Sequence, residues 1–193
     1  MLKRELDGKL QIIAAMRLFR FSLLIRSDAG SSQFRAVSYE SFEAGCKEID
    51  PVCGRLICWI HFSAAAEFFA KGVCLLRDIE VRKIKYGAIN FGTLGDLNGQ
   101  KGPLWKLCQA AQASAEEQQS ITSAYKKLVA IRNRDAHAYI PNVRTNHFEI
   151  VGTAFVPCFN LLTSWLPDGF EGICRWSDEA PQIIAALSDS ETP

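Results

Sequence analysis

The stretch Ile131-Arg132-Asn133-Arg134-Asp135-Ala136-His137-Ala138-Tyr139 packs ionisable groups densely between an apolar helical run and Pro141. Histidine is the side chain whose ordinary pKa, about 6.5, lets it trade a proton near neutrality. Arginine offers a planar fork to phosphate oxygens and keeps its charge throughout. His137 therefore reads as a proton acceptor or donor. Arg132 reads as a clamp on a phosphate whose charge grows in the transition state. Structural readings stand beside these. Arg132 and Arg134 near a helix C-terminus are favourable against the macrodipole whatever else they do. Asp135 and His137 can equally satisfy a turn and its free carbonyls.

The elements that must position these groups are helical. At 193 residues, 48% apolar and 22% charged, the chain can bury one sizeable core. A net charge of +1 gives no global field toward nucleic acid, so any such contact needs a local basic patch or a paired subunit. The seven cysteines, Cys46, Cys53, Cys58, Cys74, Cys108, Cys158 and Cys174, are odd in number, and several lie in apolar runs. They fit buried thiols of a reducing, cytoplasmic setting, with no zinc-site spacing and no metal or cofactor expected. Arg17 and Arg20 interrupt the apolar N-terminal run, and Glu67 and Lys71 interrupt the run Arg55 to Leu76. Neither segment reads as a signal sequence or a membrane span.

Gln11 to Leu24 has helical spacing, although Phe19, Phe21, Leu23 and Ile25 also alternate like a strand. Ser27 to Gln33 reads as a loop, and Ser38 to Glu48 as a short helix stopped by Asp50-Pro51. A long helix from about Val52 to Val81 is apolar around most of its circumference and belongs at the centre of a bundle. Ser63, Glu67 and Lys71 form one polar stripe along it, where an internal Glu67–Lys71 ion pair is favoured over a supporting catalytic role for Glu67. His61 reads as a core histidine. Arg82 to Gly102 loses periodicity and reads as a mobile loop carrying Arg82, Lys83 and Lys85. Pro103 starts a helix to about Ala113, and Ser114 or Ala115 starts another, with Glu116 and Glu117 at its head, that runs into Arg132. A last long helix, about Asn146 to Trp165, is kinked at Pro157. A weak helix around Ala180 to Leu187 follows in the tail. The fold class is all-α, a helical bundle over 51–167 with an N-terminal helical extension, 1–50, packed on it and a tail, 168–193.

Arg132, Asn133 and His137 fit the form R-N-x-x-x-H, and Tyr139 extends it to R-x4-H-x-Y. In this the chain resembles the HEPN family, the higher eukaryote and prokaryote nucleotide-binding domains, from about Arg55 to Trp165. The resemblance implies an up-and-down bundle with the motif at the end of one helix. It further implies a metal-independent endoribonuclease, with His137 as general acid/base, Arg132 as phosphate clamp and Asn133 orienting a base, a ribose or the histidine. Products would carry 2′,3′-cyclic phosphate. Glu67, Tyr139 and Asp135 would support the site. A homodimer would line one cleft with both motifs and gather Arg134, Lys126, Lys127 and Arg144 as RNA contacts at its seam. The setting implied is a toxin–antitoxin pair or phage defence, with a nucleotidyltransferase-type antitoxin as partner and Tyr139 as the residue it modifies. Tyr139 reads equally as a half-buried anchor. A non-catalytic HEPN-like module that binds a nucleotide or a protein is the alternative.

Overall fold

The computed structural model describes residues 2–24, 51–85, 88–91, 94–137, 155–178 and 180–189. The fold is all-α in class. Its described elements are α1 (Leu2–Leu24), α2 (Pro51–Leu76), a hairpin of β1 (Arg82–Lys85) and β2 (Ala88–Phe91), α3 (Leu94–Leu97), α4 (Pro103–Ala110), α5 (Ala115–His137), α6 (Val156–Ser164), α7 (Gly169–Trp176) and α8 (Ala180–Asp189).

Four of these helices run alternately up and down. Phe19 of α1 meets Phe62 of α2 at 5.2 Å between ring centroids, while Gly8 of α1 lies against Gly72 and Leu76. The two helices are therefore antiparallel along their length. They come unusually close, since a Cβ on Gly72 would sit 2.9 Å from the Gly8 carbonyl oxygen and 2.5 Å from Ile12. Cys108 of α4 lies within electrostatic reach of Cys74, near the end of α2. The turn after α4 leads directly into α5. Tyr125 of α5 then donates its hydroxyl to the Ala66 carbonyl at 2.9 Å, so α5 descends antiparallel to α2. Phe155, at the start of α6, meets Phe62 at 4.9 Å, and Phe159 meets Phe69 at 4.5 Å. That pairing runs α6 parallel to α2. Phe19, Phe62, Phe155, Phe159 and Phe69 make the aromatic centre where α1, α2 and α6 meet, in the tilted and edge-on contacts that rings prefer.

Several boundaries differ from the sequence expectation. The helix α2 stops at Leu76, short of Val81, because Asp78 takes a left-handed conformation with φ 57°. The Ile79 amide then donates to the Cys74 carbonyl at 2.8 Å and the Asp78 amide to the Leu75 carbonyl at 3.1 Å. This is a Schellman closure with aspartate where glycine is usual. Gln112, at φ 55°, closes α4 the same way, with the Ala113 amide on the Cys108 carbonyl at 2.9 Å. The stretch 82–102 is not the loop expected. It holds an antiparallel hairpin pairing Arg82 with Phe91 and Ile84 with Ile89, followed by the short helix α3. Ile84 and Ile89, paired in register, are β-branched residues of the kind strands favour. Helix α1 begins well before Gln11, with an ion pair between Lys9 and Glu5 at 2.7 Å on its first turns, and remains helical through Leu24 where strand-like alternation competed. The tail is more ordered than a single weak helix: Asp168 and Gly169 both turn at positive φ and separate α6 from α7. Ile173 of α7 and Ala180 and Ile183 of α8 are buried in the common core. The expected short helix at Ser38 to Glu48 and the start of the helix at Asn146 lie outside the described residues.

Candidate functional site

Helix α5 is built to carry its charge in a fixed register. Ser114 accepts the Glu117 amide at 3.1 Å, and the Glu117 carboxylate accepts the Ser114 amide at 2.7 Å. This reciprocal capping box satisfies two otherwise orphaned donors and starts the helix at Ala115. Ile121, Ala124, Tyr125 and Leu128 are buried, whereas Lys126, Lys127 and Ala130 are exposed. The backbone stays helical through His137, beyond the expected end near Arg132.

That extension decides which motif positions share a face. Position 132 follows Leu128 by four and Tyr125 by seven, so it continues the buried register, as does 135 after Ala124 and Leu128. Positions 133, 134 and 137 continue the exposed register of Lys126, Lys127 and Ala130. At 3.6 residues per turn, positions 132 and 137 stand about 140° apart around the axis. Positions 133, 134 and 137 thus share a register with Lys126 and Lys127. Positions 132 and 135 fall on another. Tyr139 and Arg144 lie outside the described residues.

Glu67 is not brought to the motif. It stands level with Tyr125, roughly 10 Å along the axis from position 132. Its carboxylate accepts the Lys71 ammonium at 2.5 Å, and that ammonium also lies 5.5 Å from the Phe68 ring centre. Lys71 is only 4% exposed, which makes this the buried pair that the spacing favoured. Around it the core is chemically quiet. Burial, then the neighbouring Cys158, Cys74 and Glu67, hold the Tyr125 hydroxyl well above its ordinary pKa. Burial likewise raises the thiols of Cys74 and Cys158, and pushes Cys108 up to about 11. These are neutral core thiols, as their apolar surroundings imply. His61 is half-buried on α2.

A concavity among the described residues lies elsewhere. A cleft of about 470 Å³ lies at the opposite end of the bundle, between the start of α1, the end of α2 and α7. Its charged lining is neutralised in pairs: Lys9 with Glu5, Arg175 with Asp168, and Asp78 with Arg4 at 3.6 Å. Lys9 also lies 5.6 Å from the Trp176 ring centre. The sequence reading did not find this cleft, because its walls come from helix ends far apart in the chain. Among the described residues no group of three His, Cys, Asp or Glu side chains could hold a metal ion. None of the described helices is long and apolar enough to cross a membrane. No protein-family model, curated protein or solved structure matches this chain.

Proposed function

We propose that the C-terminal turns of α5 form the active site of a metal-independent endoribonuclease. The observation that carries this reading is a capped helix whose last turns hold Arg132, Asn133 and His137, with position 137 one turn from position 133 on the register that carries the exposed Lys126 and Lys127. His137 takes the proton of the ribose 2′-hydroxyl or supplies one to the leaving 5′-oxygen. The 2′-oxygen attacks the phosphorus, the 5′-oxygen leaves, and a 2′,3′-cyclic phosphate remains. Arg132 neutralises the charge that builds on the phosphate. Because positions 132 and 137 stand about 140° apart on one helix, the site is completed by a second copy, in which the Arg132 of one protomer and the His137 of its partner meet one phosphate. The setting that follows from the motif is a cytoplasmic toxin–antitoxin or defence system, in which a nucleotidyltransferase-type partner modifies Tyr139.

Mixing Arg132→Ala and His137→Ala protomers tests the shared site. The mixture cleaves RNA in EDTA although neither variant does so alone. If wild type cleaves and the mixture stays inactive, each chain works by itself. The same angular separation favours one second reading, a non-catalytic module that binds a nucleotide or a protein through this face. It requires wild type to bind RNA without cutting it, or not to bind it at all.

A further inference from the structure

The outward register of α5 is polarised along its length. Reading from the start, it carries the exposed Glu116, Gln119 and Ser120 and the half-buried Ser123, then Lys126, Lys127, Ala130, Asn133, Arg134 and His137. All the positive charge lies in the half that ends at the motif. Neither Lys126 nor Lys127 makes an ion pair among the described residues, unlike Arg4, Lys9, Lys71 and Arg175. The small Ala130 leaves a low point between the two lysines and positions 134 and 137. From 126 to 137 the strip is roughly 16 Å long.

We infer that this strip is a track for the phosphate backbone of single-stranded RNA, running from the lysines to His137, with Arg134 the arginine that holds the strand beside the histidine in the same chain. The inference rests on the ribonuclease reading of this helix and adds to it how the substrate lies. Adjacent exposed cations with no ion pair among the described residues raise the local positive potential even though the chain is nearly neutral overall. Each phosphate they neutralise releases counterions, which makes the contact countable by its salt dependence. A protein ligand with acidic side chains would use the same charges. The continuity of the lysines with Asn133 and His137 on one register is what favours RNA.

The test uses a 2′-O-methylated RNA oligonucleotide, which binds but cannot be cut by attack of its 2′-oxygen. Its affinity is measured across a range of salt for wild type, for Lys126→Ala/Lys127→Ala, and for Lys3→Ala/Lys106→Ala as an equal charge change elsewhere on helices α1 and α4. Both pairs are exposed, and alanine is a strong helix former, so helical content should hold. The expected result is a log–log salt slope shallower by about 1.4 in the first variant, two contacts at about 0.7 each, with the control unchanged. Arg134→Ala should remove about 0.7 more. Equal loss in both double variants, or none in either, overturns the track while leaving the ribonuclease reading standing if wild type still cuts unmodified RNA. Polyglutamate displacing the RNA at equal charge concentration also overturns it, in favour of an acidic protein ligand. Failure of wild type to bind RNA at any salt overturns the track and the ribonuclease reading together.

Discussion

The two ends of the bundle teach opposite lessons about charge. At the end where α1 begins and α2 finishes, there is a cleft of about 470 Å³, and Arg4, Lys9 and Arg175 are each satisfied by a carboxylate. Toward the far end of α5, on the order of 30 Å away along the axis, Lys126 and Lys127 stand exposed with no ion-pair partner among the described residues, on the register of position 137. Exposed ion pairs contribute little to stability and leave little field to attract a ligand. Uncompensated charge does the reverse. Paired charge marks one end and uncompensated charge the other, and we place function with the uncompensated charge.

The largest expected effect breaks that comparison at the motif end. His137→Ala should lower RNA cleavage by about 10²–10⁴-fold, the usual contribution of a positioned acid/base group. Arg132→Ala should lower it by about 10²–10³-fold, with circular dichroism unchanged in both. Either variant cutting at the wild-type rate would remove the role given to that residue. In the sealed middle, Lys71→Ala should destabilise by about 2–3 kcal/mol in urea titrations. It removes the ammonium that pairs with the Glu67 carboxylate, and the loss falls short of the fully buried range because Glu67 keeps some exposure. A loss under 1 kcal/mol would mean that water reaches the pair freely.

The middle also sets an alkaline limit. Folded Cys74, Cys108 and Cys158 are raised by burial above their ordinary 9.0, so the unfolded chain gives up these protons first. Their contribution is complete below about pH 9 and is lost as pH rises, by about 1.4 kcal/mol per pH unit for each thiol. For Cys108 that loss ends near 11. Unfolding at pH about 8 and about 10 should show the fall, and Cys158→Ala should flatten it. A pH-independent midpoint would mean that the thiols are hydrated. The smallest effect belongs to the cleft end. Arg175→Ala removes an exposed pair and should shift stability by less than about 0.5 kcal/mol without altering RNA affinity. A marked loss of RNA binding there would reverse the assignment of the two ends.

Much of this frame could be read from residue order. Pro103, Ser114 with Glu117, and the four-residue spacing of Glu67 and Lys71 each announce a local interaction that needs no tertiary context. The apolar density of Arg55 to Leu76 identified the central helix. The ends of α2 and α4 were hidden because Asp78 and Gln112 take left-handed conformations usually left to glycine. The early turns of α1 were hidden by the exposed Leu6 and Leu10 and by Gly8, whose reason is the close approach of α2 rather than a turn. Four-residue strands such as β1 and β2 give too short a pattern to separate from loop. The motif was visible from its residue types, but its geometry was not. Ending α5 near Arg132 leaves Arg132 and His137 free to converge, whereas a helix continuing to His137 sets them on different faces.

The measurement that tests the central claim most directly is RNA cleavage by wild type and by His137→Ala, side by side in EDTA, with the product ends analysed. The account predicts that wild type alone cuts and leaves 2′,3′-cyclic phosphate. Cutting by both proteins, cutting that EDTA abolishes, or no cutting by wild type on structured or single-stranded RNA would contradict it.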